Sequence, residues 1–132
     1  MNIKVFISWV LRVVVAIILL QTLYYKFTGH PDSVYIFSKL GVEPWGRISL
    51  GIIELLTALL IFIPKTKFIG MAISFFLMIG AISSHIFVIG LNISNDGGGL
   101  FILALIVLFS SIVYFIINKN EFCSYLKDNK VF

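Results

Sequence analysis

Apolar residues in this chain fall into four long runs, and each run is interrupted by at most one ionisable side chain other than tyrosine. Val5 to Tyr25 holds Arg12, Ile48 to Ile63 holds Glu54, Phe68 to Leu91 holds His85, and Leu100 to Ile117 holds only Tyr114. A bilayer core of about 30 Å is crossed by roughly 20 helical residues, with a range of about 17 to 25. The pattern therefore predicts four transmembrane helices, over about residues 4–26, 48–63, 68–91 and 100–117, followed by a polar tail, 118–132. The second run is the shortest, and Arg47 and Lys65 can snorkel from its two ends. The first run holds Arg12 and is followed by "QTLYYKF" rather than a small-residue cleavage pattern, so it reads as a retained helix and not as a signal peptide. The expected fold class is all-α: an integral membrane four-helix antiparallel bundle forming a single membrane domain.

The connections refine this picture. Pro64 to Lys67 has room only for a tight hairpin turn. The loop "TGHPDSVYIFSKLGVEPWGR" contains a short helix by its signals: Pro31 suits the first helical position, Asp32 the positive N-terminal end, and Gly41 a C-terminal cap. Val34, Phe37 and Leu40 give that helix one apolar face. Two readings stay open, an interfacial helix lying on the membrane with Trp45 as its aromatic anchor, or an ordered lid over the bundle. "NISNDGGG", between the third and fourth helices, lacks the spacing and the lysine of a phosphate-binding loop and reads as a turn. The polar tail, with its scattered aromatic residues, suits a short surface helix.

On a 100° wheel the polar residues gather on inward faces. Ser8, Arg12, Leu19, Leu23 and Lys26 share a face of the first helix, with Gln21 opposite. Arg47, Gly51, Glu54, Ala58 and Ile61 share a face of the second. Met71, Ser74, Met78, Ala81, His85 and Asn92 do so on the third, and Ala104, Val107, Ser111 and Tyr114 on the fourth. Arg12 lies about 12 Å from Lys4 along its helix and Glu54 about 16 Å from Lys65 along the antiparallel one, which suggests an Arg12–Glu54 ion pair. Such a pair either holds the register of two helices or forms the floor of a polar pocket. His85 lies near the far boundary, in the neighbourhood of Lys26, Arg47 and Asp96. The candidate ligand-binding residues are thus Arg12, Glu54, His85 and Lys26, with Lys26 and Arg47 also serving as snorkelling anchors.

Composition supports the membrane class. The 132 residues are 60% hydrophobic and only 12% charged, with a mean hydropathy of +1.08, whereas soluble domains are about half apolar and about a quarter charged. The lysines are dispersed, which argues against nucleic-acid binding and makes the net charge of +4 a topology signal. With the N-terminus inside, the inner side carries Lys4, Lys65, Lys67, Lys119, Lys127 and Lys130, and the outer side only Lys26, Lys39 and Arg47. This favours N-in and C-in orientation, in what we expect to be a bacterial cytoplasmic membrane. Cys123 is the single cysteine, so thiol–disulfide relay chemistry is excluded. No facing histidine pair suits haem and no ligand cluster suits a metal, so neither is expected.

Three segments carry a family resemblance: "LR…YYKF" in the first helix, "LGVEPWGRISLGIIELL" leading into the second, and "MIGAISSHIFVIG" in the third. Over about residues 8 to 118 the chain resembles the DoxX-like small membrane proteins, with Arg12, Lys26, Glu54, Ala81 and His85 at matching positions. It departs from them at Ala16 and "QTLYY", where the first helix often carries a glycine. The resemblance implies a four-helix membrane bundle. The family name derives from a subunit of a thiosulfate:quinone oxidoreductase, and other members are linked to redox or oxidative-stress complexes. The resemblance thereby implies the membrane and a quinone as candidate cofactor, not a reaction. Since the chain supplies no electron carrier, a redox partner protein would bring the electrons, and the lipid bilayer and a homo-oligomer are further candidate partners. Two functions compete: a quinone-associated membrane subunit without its own electron carrier, and a non-enzymatic scaffold or assembly protein.

Overall fold

The structure is a computed structural model that describes residues 2–128; Lys130 and the rest of the tail from 129 onward lie outside the described residues. Six α-helices follow one another: α1 (Ile3–Thr28), α2 (Pro31–Lys39), α3 (Trp45–Phe62), α4 (Lys67–Ser84), α5 (Gly99–Ile117) and α6 (Lys119–Asp128). α4 runs on through one wider π-helical turn, His85–Ile89, so the third apolar helix stops at Ile89 and not at Leu91. Asn92, expected on its inward face, sits instead in the exposed turn that follows, where its side chain accepts from Gly97 N–H. Among the described residues, four helices are long and apolar enough to cross a membrane: α1, α3, α4 with its π turn, and α5. In hydrocarbon every backbone polar group needs an internal partner, and a helix meets that demand within one segment.

The four long helices form a ring in which α1 packs between α3 and α5, and α4 packs between the same two. Each neighbour in the ring runs antiparallel to the next, because consecutive long helices cross in opposite directions. Val15, Leu19, Ile61, Met71, Met78, Val107 and Tyr114 fill the centre. The outward surface carries exposed side chains such as Ile17, Leu56, Leu59, Phe87 and Ile116, an apolar coat that lipid covers and water would not.

The two ends of the ring are closed differently. At the end holding both the N-terminus and α6, Phe68 stacks with Tyr114, Phe115, Phe122 and Tyr125, and Lys67 pairs with Glu121. Ser8 and Asn118 exchange hydrogen bonds of 3.0 and 2.8 Å there, tying α1 to the end of α5. At the other end α2 packs on α1, α3 and the π turn, burying Ser33 and Phe37. So placed, α2 covers this end of the bundle as a lid does. His30 caps the start of α2 and Pro31 opens it. Gly41 ends it at φ 77°, letting Val42 and Gly41 N–H reach the carbonyls of Phe37 and Ser38. Ser94, in the turn before α5, donates to Asp32 at 2.6 Å and fastens the lid from its other side.

Candidate functional site

Beneath α2 lies a cavity of about 580 Å³, lined by all four long helices. Its walls are mostly apolar, and its polar groups include Thr22 and Lys26 from α1, Ser33 from α2, Glu54 from α3, and His85 at the start of the π turn. Lys26 Nζ lies 2.9 Å from Glu54 Oε2, with the two side chains only 12% and 6% exposed. Thr22 donates to the same carboxylate oxygen at 3.2 Å. Among the described residues Oε1 has no hydrogen-bond partner, yet no fully buried side-chain oxygen or nitrogen lacks one. Oε1 is therefore open to the cavity, and an ammonium with one carboxylate partner keeps donors to offer as well.

His85 is buried and its ring meets Phe101 edge-on at 5.8 Å. Its Nδ1 lies 2.9 Å from the Gly90 carbonyl oxygen. A carbonyl only accepts, so Nδ1 carries the proton and donates, and Nε2 of the neutral ring is an acceptor. The wider π turn sets this geometry, since Gly90 N–H also returns to His85 carbonyl and closes the loop. The cavity thus offers donors at Lys26 and acceptors at Glu54 and His85, set in an apolar wall.

The expected Arg12–Glu54 pair does not form. Arg12 Nε donates to the Ile61 carbonyl at 2.9 Å, and its guanidinium lies 4.2 Å over the Trp9 ring. Ile61 is in the last turn of α3, where carbonyls have no partner within the helix and the dipole favours a cation. Arg47 does the converse, donating to the Lys26 carbonyl in the last turn of α1 while its guanidinium holds Glu43. Each of the two antiparallel helices thereby caps the C-terminal end of the other with an arginine. Arg12 is absent from the cavity lining, whereas Lys26, Glu54 and His85 all contribute to it.

Side-chain direction explains the difference. Helical side chains lean toward the N-terminus of their own helix. Arg12 leans toward Ile3, and Glu54, on the antiparallel helix, leans toward Trp45, so they diverge. Lys26 leans back into the bundle and meets Glu54 coming the other way. Measuring depth from Lys4 and Lys65 also placed these two lysines in one plane. Arg12 lies level with Ile61, seven residues and about 10 Å along α3 from Glu54. Thr22 is the site residue that the sequence reading missed. Its position one turn before Lys26 on an inward-facing run was the available signal.

The match to known families decides the affiliation: residues 10–109 fit the model of the DoxX-like family. The chain belongs to the DoxX-like family. The match runs from within α1 to within α5, so it covers the cavity-lining residues, and α6 lies beyond it. Among curated proteins and solved structures, none matches the chain significantly. This DoxX-like protein is accordingly a small four-helix membrane protein with buried charged residues. Among the described residues, no three His, Cys, Asp or Glu side chains gather as a metal site would require.

Proposed function

We propose that this protein is a quinone-binding accessory subunit of a membrane redox system, with the cavity beneath α2 as its ligand site. One observation carries the reading: a cavity of about 580 Å³ whose apolar wall is broken by the Lys26–Glu54 pair and the His85 ring. Small-molecule sites commonly enclose about 300–1,000 Å³ and orient a ligand by a few polar groups. The donor set suits a quinone head. Lys26 can donate to a ring carbonyl, Glu54 Oε1 can exchange a proton, and Nε2 of His85 can accept from a ring hydroxyl. When bound, a quinone supplies two-electron, two-proton chemistry. The residues of this chain hold the head, exclude water under α2, and hold or move protons at Glu54 Oε1 and His85 Nε2. Electrons would come from a redox partner protein. The distribution of lysines supports N-in, C-in orientation, with α2 on the outer side.

Mass spectrometry of organic extracts from gently purified protein tests this, wild type beside Glu54→Gln. A stoichiometric quinone in the wild type that is lost from a folded Glu54→Gln variant is the expected result. Ordinary lipids alone in both proteins would refute it. A second reading, a scaffold protein in which the Lys26–Glu54 pair only fastens α1 to α3, draws support from Arg12 and Arg47, whose charges cap helices. It predicts that exchanging the pair, Lys26→Glu with Glu54→Lys, restores the protein level lost in either single variant.

A further inference from the structure

α3 and α4 are pressed together near the turn that joins them, and further along both line the cavity. A Cβ at Gly70 would lie 2.8 Å from Ile61 N and 3.1 Å from Leu60 carbonyl carbon, so the backbones touch there. Gly70, Leu77 and Ser84 recur every seven residues and mark the side of α4 that faces α3. Leu77 and Ser84 line the cavity, and so do their lipid-side neighbours Phe76 and Gly80. Phe76 is 69% exposed, and a Cβ on Gly80 would meet nothing within 4 Å. The cavity therefore reaches the outside of the bundle beside these two residues. The opening begins at the height of the buried pair and extends above it: Glu54 is about 12 Å up α3 from Phe62, while Phe76 is about 13 Å and Gly80 about 20 Å up α4 from Lys67. At that depth the surroundings are hydrocarbon.

We infer that the ligand enters this cavity sideways from the bilayer, through the gap between α3 and α4 beside Gly80, and that it is an amphiphile with one long apolar tail. The polar head meets Lys26 and Glu54, and the tail lies between Phe76, Gly80 and Leu50 and runs out into the lipid. The inference rests on the cavity being a ligand site and narrows the class of ligand it takes. Tailed quinones and single-chain lipids share this chemistry. A small water-soluble molecule does not need a portal at mid-membrane height, since its reservoir is the solvent beyond α2.

The test is equilibrium binding by native mass spectrometry, using full-length protein in lipid nanodiscs. Three probes are compared: a benzoquinone with an isoprenoid tail, the same head without a tail, and a single-chain lysophospholipid. Gly80→Trp fills the gap from a position with free space. It should weaken the tailed quinone at least tenfold and the tailless one less than twofold. Phe76→Ala, which widens the gap, should leave tailed binding intact or tighter, and it reports on the portal even if the tryptophan variant folds poorly. Undiminished tailed binding in a folded Gly80→Trp protein would overturn the inference. So would equal loss of both quinones, or blockage instead by Gln21→Trp, at an exposed cavity-lining position on α1. If no quinone binds the wild type, the quinone reading fails by itself. Gly80-dependent retention of lysophospholipid would then still support the portal, and retention of none of the probes would remove it.

Discussion

Two glycines of α4 make a matched pair whose alanine substitutions should move stability in opposite directions. At Gly70 a methyl group would sit 2.8 Å from Ile61 N and 2.9 Å from Ile61 Cγ1, against 3.4 Å for an ordinary contact. The helices must separate by about 0.6 Å, and the obstacle is backbone of α3, which cannot rotate aside. Overpacking of this kind costs about 1–3 kcal/mol. Alanine returns up to about 1 kcal/mol by stiffening the helix, so Gly70→Ala should be destabilising by about 0.5–2 kcal/mol. At Gly80 the same methyl meets nothing within 4 Å, only the helix term remains, and Gly80→Ala should be neutral or stabilising by up to about 1 kcal/mol. Reversible unfolding in mixed micelles, followed by far-UV circular dichroism, measures both. Gly70→Ala as stable as the wild type, or Gly80→Ala the worse of the two, would refute the hairpin geometry that leaves the gap between α3 and α4 open at the cavity.

Three further outcomes follow from the polar contacts. Lys26→Met should cost more than Glu54→Gln, because Glu54 loses its cation deep in the bundle while Lys26, in the last turn of α1, can turn out to the interface; equal midpoints on denaturation would contradict this. Arg12→Ala removes a charged hydrogen bond to Ile61 carbonyl and the contact with Trp9, for a loss of about 1.5–3 kcal/mol, and should leave ligand affinity in the cavity unchanged. A loss of binding matched to Glu54→Gln would show that Arg12 serves the site after all. Asp96 is in the turn before α5, where desolvation raises its pKa but N–H groups of Leu100, Ile93, Gly98 and Gly99 together outweigh that and hold it below the ordinary aspartate value. Its unfolded form thus binds the proton more readily. The advantage of wild type over Asp96→Asn should be complete above about pH 4 and vanish as pH falls through the lowered folded value, which melting temperatures between pH 2 and 7 would reveal.

Periodicity alone told which faces turn inward. Ser8, Arg12, Leu19 and Leu23 on α1, Arg47, Gly51, Glu54, Ala58 and Ile61 on α3, and Met71, Ser74, Met78 and His85 on α4 are all buried as the wheel requires. The four membrane-length helices and the family were equally legible, since a membrane demands long apolar runs and helical repetition whatever the neighbours are. Partners were another matter. Lys26 and Arg12 both stand on the inward face of α1, and nothing in a wheel says which of them reaches Glu54. That choice depends on the axial offset of two antiparallel helices and on the lean of each side chain, which makes Lys26 and Glu54 converge. Arg12 goes to a backbone carbonyl, and every residue carries one, so no residue type marks such an acceptor in advance. The lid and the lateral gap arise the same way. Pro31 and Gly41 predicted a short helix, but only the packing of α2 on α1, α3 and the π turn decided that a cavity lies under it. Sequence fixes what each helix buries through local geometry; which buried groups meet depends on how whole helices are placed against each other.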